Sequence, residues 1–115
     1  MILAVLDDLM FTSKIKTAAA QLGVPVGFAR SADAARSAMT ATPPSLVILD
    51  LNNTRVDPLG IVAAMKANPA WAAIPTVGFV SHVDTATIEA ARAAGVTDVM
   101  ARSAFTAQLG EILKR

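Results

Sequence analysis

The sequence predicts an α/β domain: a five-stranded parallel sheet with helices on both faces. Three observations carry that expectation. Short continuous apolar runs recur along the chain, each is followed by a segment of helical periodicity bounded by cap and stop residues, and the polar residues that are neither caps nor solvated faces fall just past the ends of the apolar runs. Continuous apolar runs read as strands buried on both faces, as in parallel sheets covered by crossover helices. Regular alternation of strand and helix then gives β-α units joined by right-handed crossovers, hence three layers.

The first strand is expected at Ile2 to Leu6 and ends at Asp7. A helix follows, with Thr12 or Ser13 as its cap, Ile15, Ala18, Ala19 and Leu22 as its apolar stripe and Gly23 as its stop. Val24 to Ala29 reads as an edge strand, because Pro25 has no N–H for a central ladder. Ser31 opens the next helix, which buries Ala34, Ala35, Ala38 and Met39 and is ended by Thr42, Pro43 and Pro44. Leu46 to Leu49 is the third strand and delivers Asp50 at its end.

After a loop from Leu51 to Val56, Asp57 caps a helix with Pro58 at its favoured first position, running to about Ala67 before Asn68 and Pro69. Thr76 to Val80 is the fourth strand and ends at Ser81. Asp84 or Thr85 caps a helix carrying Ile88, Ala91 and Arg92, and Gly95 stops it. Thr97 to Ala101 is the fifth strand, and a last helix runs from about Ala104 to Leu113.

Composition excludes several classes of function. The 115 residues suit one domain with a real core, and no linker, repeat or low-complexity tract marks a second. A net charge of +1 with interspersed signs gives no basic stripe for a nucleic-acid backbone. With no cysteine there is neither a disulfide nor a thiolate metal site. MILAVL is too short for a secretory core and meets Asp7 and Asp8 at once, and no apolar run reaches bilayer length, so a cytoplasmic protein is the expectation.

All strand ends of an open parallel sheet emerge on one edge, where ligands bind. Asp7, Asp8, Asp50, Ser81 and Arg102 are thereby expected together. Three carboxylates at close quarters repel unless a cation joins them or a proton stays on. Oxygen-only ligands select hard cations, magnesium in particular, and that chemistry suits phosphoryl transfer with Asp50 as nucleophile.

In VLDD, VILDLNN, IPTVGFVS and AAGVTDVMAR the chain resembles the receiver domains of two-component response regulators over essentially its whole length. The resemblance implies a flavodoxin-like (βα)5 fold with strand order 2-1-3-4-5. It implies that Asp50 accepts a phosphoryl group from a histidine kinase or phosphotransfer protein, and that Asp7, Asp8, Asp50 and the backbone carbonyl of Asn52 hold Mg²⁺. Ser81 would turn toward the phosphoryl group and Arg102 would meet its charge, the chemistry being limited to the chain's own phosphorylation and dephosphorylation. With no output domain expected, the signal would pass to a partner protein, a second copy of the chain being a further candidate.

Three positions depart from the family's pattern: Arg102 stands for a lysine, Ser103 for a proline and Val99 for an aromatic switch residue. Arginine keeps the charge but presents a planar fork. Without proline, the Arg102–Ser103 peptide is expected to be trans, the cis form costing about 3–4 kcal/mol. Without the ring, coupling from the hydroxyl to the outer face is expected to be weak. A second reading therefore stays open: a pseudo-receiver that binds partners independently of phosphorylation. LDLNNT also resembles the DxDxT signature of haloacid-dehalogenase-type phosphatases, but Asn52 replaces the second acid and the signature lies mid-chain. His82, the sole histidine, has no partner residue and is kept out of the site, and Trp71 is expected to anchor a loop by packing.

Overall fold

The computed structural model describes residues 1–81 and 83–115; His82 lies outside the described residues. Strands β1 (Ile2–Val5), β2 (Val26–Ala29), β3 (Leu46–Asp50), β4 (Thr76–Val80) and β5 (Asp98–Ala101) form one parallel sheet in the order β2-β1-β3-β4-β5. Between and after them run α1 (Leu9–Leu22), α2 (Ala32–Ala41), α3 (Pro58–Ala67), α4 (Thr85–Ala94), α5 (Arg102–Ala107) and α6 (Leu109–Leu113). The expected fold class and strand order hold. Every residue of the three central strands is buried, whereas β5 and most of β2 are half-buried edges. That is why the centre of the sheet reads as unbroken apolar runs.

Two cores result, one on each face. Helices α2, α3 and α4 cover Leu3, Val5, Val47, Leu49 and Val80 with aliphatic side chains. Helices α1, α5 and α6 cover Ile2, Ala4, Ile48, Val77 and Phe79 with Phe11, Ile15, Phe105 and Ile112. Trp71 packs against the first core from its margin, as expected of a loop anchor. A glycine in the middle of β4 is explained by close approach: a Cβ on Gly78 would lie 2.5 Å from Leu51 Cδ1. Leu51 follows Asp50 directly, so Gly78 lets the chain leave β3 beside β4.

Helices α1 to α4 start at side-chain caps, one of them at a residue other than expected. Ser31, Asp57 and Asp84 cap α2, α3 and α4 as expected. The cap of α1 is Asp8 rather than Thr12 or Ser13: its Oδ1 accepts the N–H groups of Met10 at 2.9 Å and Phe11 at 3.1 Å. The helix therefore begins four residues early, because an acid at the strand end satisfies its first donors before any hydroxyl is reached. Gly23 ends it in the left-handed region with φ 69°.

The last helix also differs from expectation. It starts at Arg102, directly after β5, and breaks at Gln108. Thr106 Oγ1 donates to the Arg102 carbonyl at 3.0 Å, a back-bond that bends helices, and Gly110 weakens the continuation. The expected loop after β3 contains a 3₁₀ turn, Thr54–Val56. Strand β2 starts at Val26, since Val24 closes the end of α1, and β5 starts at Asp98, since the Thr97 N–H donates to the Thr76 hydroxyl and the Thr97 hydroxyl accepts the Thr76 N–H. No cis peptide occurs among the described residues, so the Arg102–Ser103 bond is trans. No helix among the described residues is long and apolar enough to cross a membrane.

Candidate functional site

Asp50 is the last residue of β3 and, at 4% exposure, one of two buried polar residues in the chain's described core. Its Oδ1 accepts the Asn52 N–H at 3.1 Å and lies 3.9 Å from Arg102 Nη2. Burial raises the Asp50 carboxyl above its ordinary value of 3.8; the Asn52 hydrogen bond and the Arg102 charge pull it back, and the neighbouring Asp8 and Asp7 charges push it up again. Desolvation outweighs the favourable contacts because a guanidinium at 3.9 Å, still open to solvent, replaces little of the water that a carboxylate loses.

Asp7, Asp8, Asp50 and Asn52 line one cavity of about 400 Å³, with Asn53, Thr54, Arg55 and Arg102. The expected acids thus share an edge, but they do not converge as a set of ligands. Among the described residues no three histidine, cysteine, aspartate or glutamate side chains are grouped to hold a metal. Asp8 spends Oδ1 on its cap. Asp7 accepts the Asn53 side-chain amide on Oδ1 and the Arg55 guanidinium on Oδ2 at 3.0 Å. The donor chemistry, oxygen throughout, fits a hard divalent cation; the positions of Asp7 and Asp8 are set by other partners.

Asn52 has a second role that sequence gave no hint of. Its Oδ1 accepts the Ser81 N–H at 2.7 Å and its Nδ2 donates to Asp84 Oδ2 at 3.0 Å. One amide therefore ties the end of β3 to the start of the segment between β4 and α4. The Asp84 carboxyl is held below its ordinary value by the Thr87 hydroxyl, the Thr87 N–H and Asn52. Ser81 lines a second cavity of about 520 Å³ with Phe11, Lys14, Asn52, Arg102, Ser103 and Thr106. That cavity contains no carboxylate, and Asn52 and Arg102 form the wall it shares with the acidic one.

Arg102 is placed by aromatic rings as much as by charge. Phe11 and Phe79 stack at 5.0 Å with 13° between their planes, and Phe79 and Phe105 at 4.7 Å. The Arg102 guanidinium carbon sits 5.0 Å from the Phe11 ring centre and 5.7 Å from that of Phe79. Stacking on ring faces is the favourable contact for a planar, weakly hydrated cation. Its Nε is buried with no hydrogen-bond partner among the described residues, so the geometry is set by packing at some expense in hydrogen bonding. Val99 lies on β5 and packs against the aliphatic core, away from these rings.

Sequence reasoning placed Asp7, Asp8, Asp50, Asn52, Ser81 and Arg102 on one edge, and all line the two adjoining cavities. It missed Asn53 and Arg55. Both follow Asp50 within five residues on a loop leaving the same edge, which is the only signal the sequence holds for them. It also missed Lys14, which α1 turns toward the second cavity.

No family model matches the chain, and no curated protein matches it in sequence. Solved structures do match. A phosphorylated cyanobacterial phytochrome response regulator, RcpA, is 25% identical with a TM-score of 0.82 over 98% of this chain and 87% of that one. The signal receiver domain of a signal transduction histidine kinase from Syntrophus aciditrophicus is 21% identical, with a TM-score of 0.86 over 99% of this chain and 86% of the other. The Mn²⁺-bound response regulator Rcp1 is 20% identical, with a TM-score of 0.77 over 98% and 88%. The chain has the fold of response-regulator receiver domains.

Proposed function

We propose that this receiver-type chain accepts a phosphoryl group on Asp50 from a histidine kinase or phosphotransfer protein in the cytoplasm and passes the signal to a partner protein. The observation that carries this reading is the buried Asp50 carboxylate at the end of a central strand, backed by the Asn52 N–H and faced by Arg102. A carboxylate oxygen of Asp50, held in place by the Asn52 N–H, is the attacking atom. Its bond to phosphorus forms as the bond from phosphorus to the donor's nitrogen breaks, and that nitrogen keeps the electron pair. The product is an acyl phosphate on Asp50.

Arg102 would meet the phosphoryl oxygens from the ring-lined side, and Ser81 offers a hydroxyl from the second cavity. A divalent cation such as Mg²⁺, held by Asp7, Asp8, Asp50 and the Asn52 carbonyl, would supply charge neutralisation for the incoming anion. Its fit rests on the oxygen donors of Asp7, Asp8, Asp50 and Asn52 in the acidic cavity, which Arg55 and Arg102 also line.

A second reading, a pseudo-receiver that binds partners without phosphorylation, is favoured by one feature: Asp7 is already paired with Arg55 and Asn53. Intact-mass spectrometry after incubation with acetyl phosphate and Mg²⁺ separates the two. The expected result is one added phosphoryl group on the wild type and none on Asp50→Asn. No added mass on the wild type, or equal labelling of both, leaves the pseudo-receiver.

A further inference from the structure

A carboxylate pocket that takes a divalent cation needs open oxygens, and the three acids here differ sharply in what they leave open. Asp8 Oδ2 and Asp50 Oδ2 accept no hydrogen bond among the described residues, because the cap and the Asn52 N–H both use Oδ1. Asp7 has both oxygens occupied, Oδ1 by the Asn53 amide and Oδ2 by the Arg55 guanidinium at 3.0 Å. A cation entering this cavity meets two open carboxylates and one that already holds a positive charge.

We propose that Arg55 is a tethered counter-cation that competes with a divalent metal for Asp7, so that metal entry and release of the Arg55 side chain are one event. The inference rests on the reading that this cavity takes the hard cation its donors suit. The turn that carries Arg55 is anchored while its side chain is not. Val56 at the turn's end is fully buried, and Asn53 Oδ1 accepts the Arg55 N–H at 3.0 Å, yet the Arg55 side chain is 80% exposed. The guanidinium can leave Asp7 without unfolding anything.

Asn53 makes the exchange a coupled one. The same amide holds Arg55 through its oxygen and Asp7 through its nitrogen, so the side chain that positions the competitor also positions the carboxylate. Without metal, Arg55 and Arg102 divide the acids between them, Asp7 to one and Asp50 to the other. An exposed ion pair of this kind shifts an equilibrium by a factor of roughly 1.5 to 5. Repulsion between a nearby guanidinium and a dication raises the total to roughly five- to tenfold.

Binding of Mn²⁺, followed through the loss of its free electron paramagnetic resonance signal, tests this on the wild type, Arg55→Ala, Arg55→Gln and Arg55→Lys. Arg55→Ala and Arg55→Gln should bind roughly five- to tenfold more tightly than wild type, and Arg55→Lys within about twofold of it, since the charge is kept. The advantage should shrink as ionic strength rises, which a merely structural effect would not do. Equal or weaker binding by both neutral variants, or no Mn²⁺ binding by any of the proteins, overturns the proposal. Tighter binding by the neutral variants without any acetyl phosphate labelling would sink the phosphoryl-acceptor reading and leave this one standing; labelling with no change in Mn²⁺ affinity would do the reverse.

Discussion

On one face of the sheet, α1, α5 and α6 enclose Phe11, Phe28, Phe79 and Phe105, all four phenylalanines of the chain. On the other, α2, α3 and α4 enclose aliphatic side chains, with Trp71 only at the margin. Both faces bury apolar surface and both reach the site, the aliphatic one through Leu51 and Val56, but only the first sets aromatic rings beside it. Phe79 stands opposite Asp50 in the register of β3 and β4, and its ring packs with those of Phe11 and Phe105 in a three-ring cluster. Two of its rings, Phe11 and Phe79, lie under the Arg102 guanidinium. An aliphatic core fills volume and holds strands in place; an aromatic one also offers faces on which a cation can be set beside a carboxylate.

The largest effect that would sharpen this contrast comes from Phe79→Ala. It should destabilise the fold by about 3–5 kcal/mol and slow acetyl phosphate labelling on the order of tenfold, because Arg102 loses the surface that positions it. Ile61→Ala, in the aliphatic core, should cost about 2–5 kcal/mol yet leave labelling of the folded fraction unchanged. Denaturant unfolding and labelling rates measured side by side check both. Equal slowing by the two variants would mean that the faces do not differ in the way the rings suggest.

A smaller effect concerns Asp50 itself, whose carboxyl is buried against the aromatic side. Its folded value is raised by desolvation, so the folded chain holds the proton more tightly than the unfolded chain does. The group's contribution to stability is then most favourable at low pH and declines as pH rises from the ordinary 3.8 through the raised folded value. Asp50→Asn should therefore melt above the wild type at pH 7, and the gap should close as pH falls toward 3.8. Thermal melts across that range check it. A gap that widens on acidification would show that Arg102 and Asn52 more than offset the burial.

The smallest expected effect lies on the aliphatic face. Val99 packs against that core with Ile88, and its β-branched side chain has few alternative positions. A modification shifts an equilibrium only by its differential interaction with the two states. Beryllofluoride with Mg²⁺ should move amide resonances around Asp50 strongly and those from Ile88 to Val99 weakly. Large shifts spread over that distant stretch would show that the chain switches without an aromatic residue at Val99.

How much of this was legible from the sequence depends on the range of the interaction involved. The strands at Leu46 to Asp50 and Thr76 to Val80, the caps at Ser31, Asp57 and Asp84, and the stops at Gly23 and Gly95 are local events, set by a few neighbouring residues. The placing of Asp7, Asp8, Asp50, Ser81 and Arg102 on one edge followed from parallel topology alone. What those side chains do there was decided by contacts between segments far apart in the chain. Asp8 is the exception, capping α1 two and three residues on, whereas Asp7 was claimed by Asn53 and Arg55 across 46 and 48 positions, and Asn52 bridged to Asp84 across 32. Arg102 came to rest on rings contributed by α1 and β4. Hydrogen bonds and stacking act over a few ångströms and fall off steeply, so which partner a polar side chain takes depends on distances that exist only once the chain has folded.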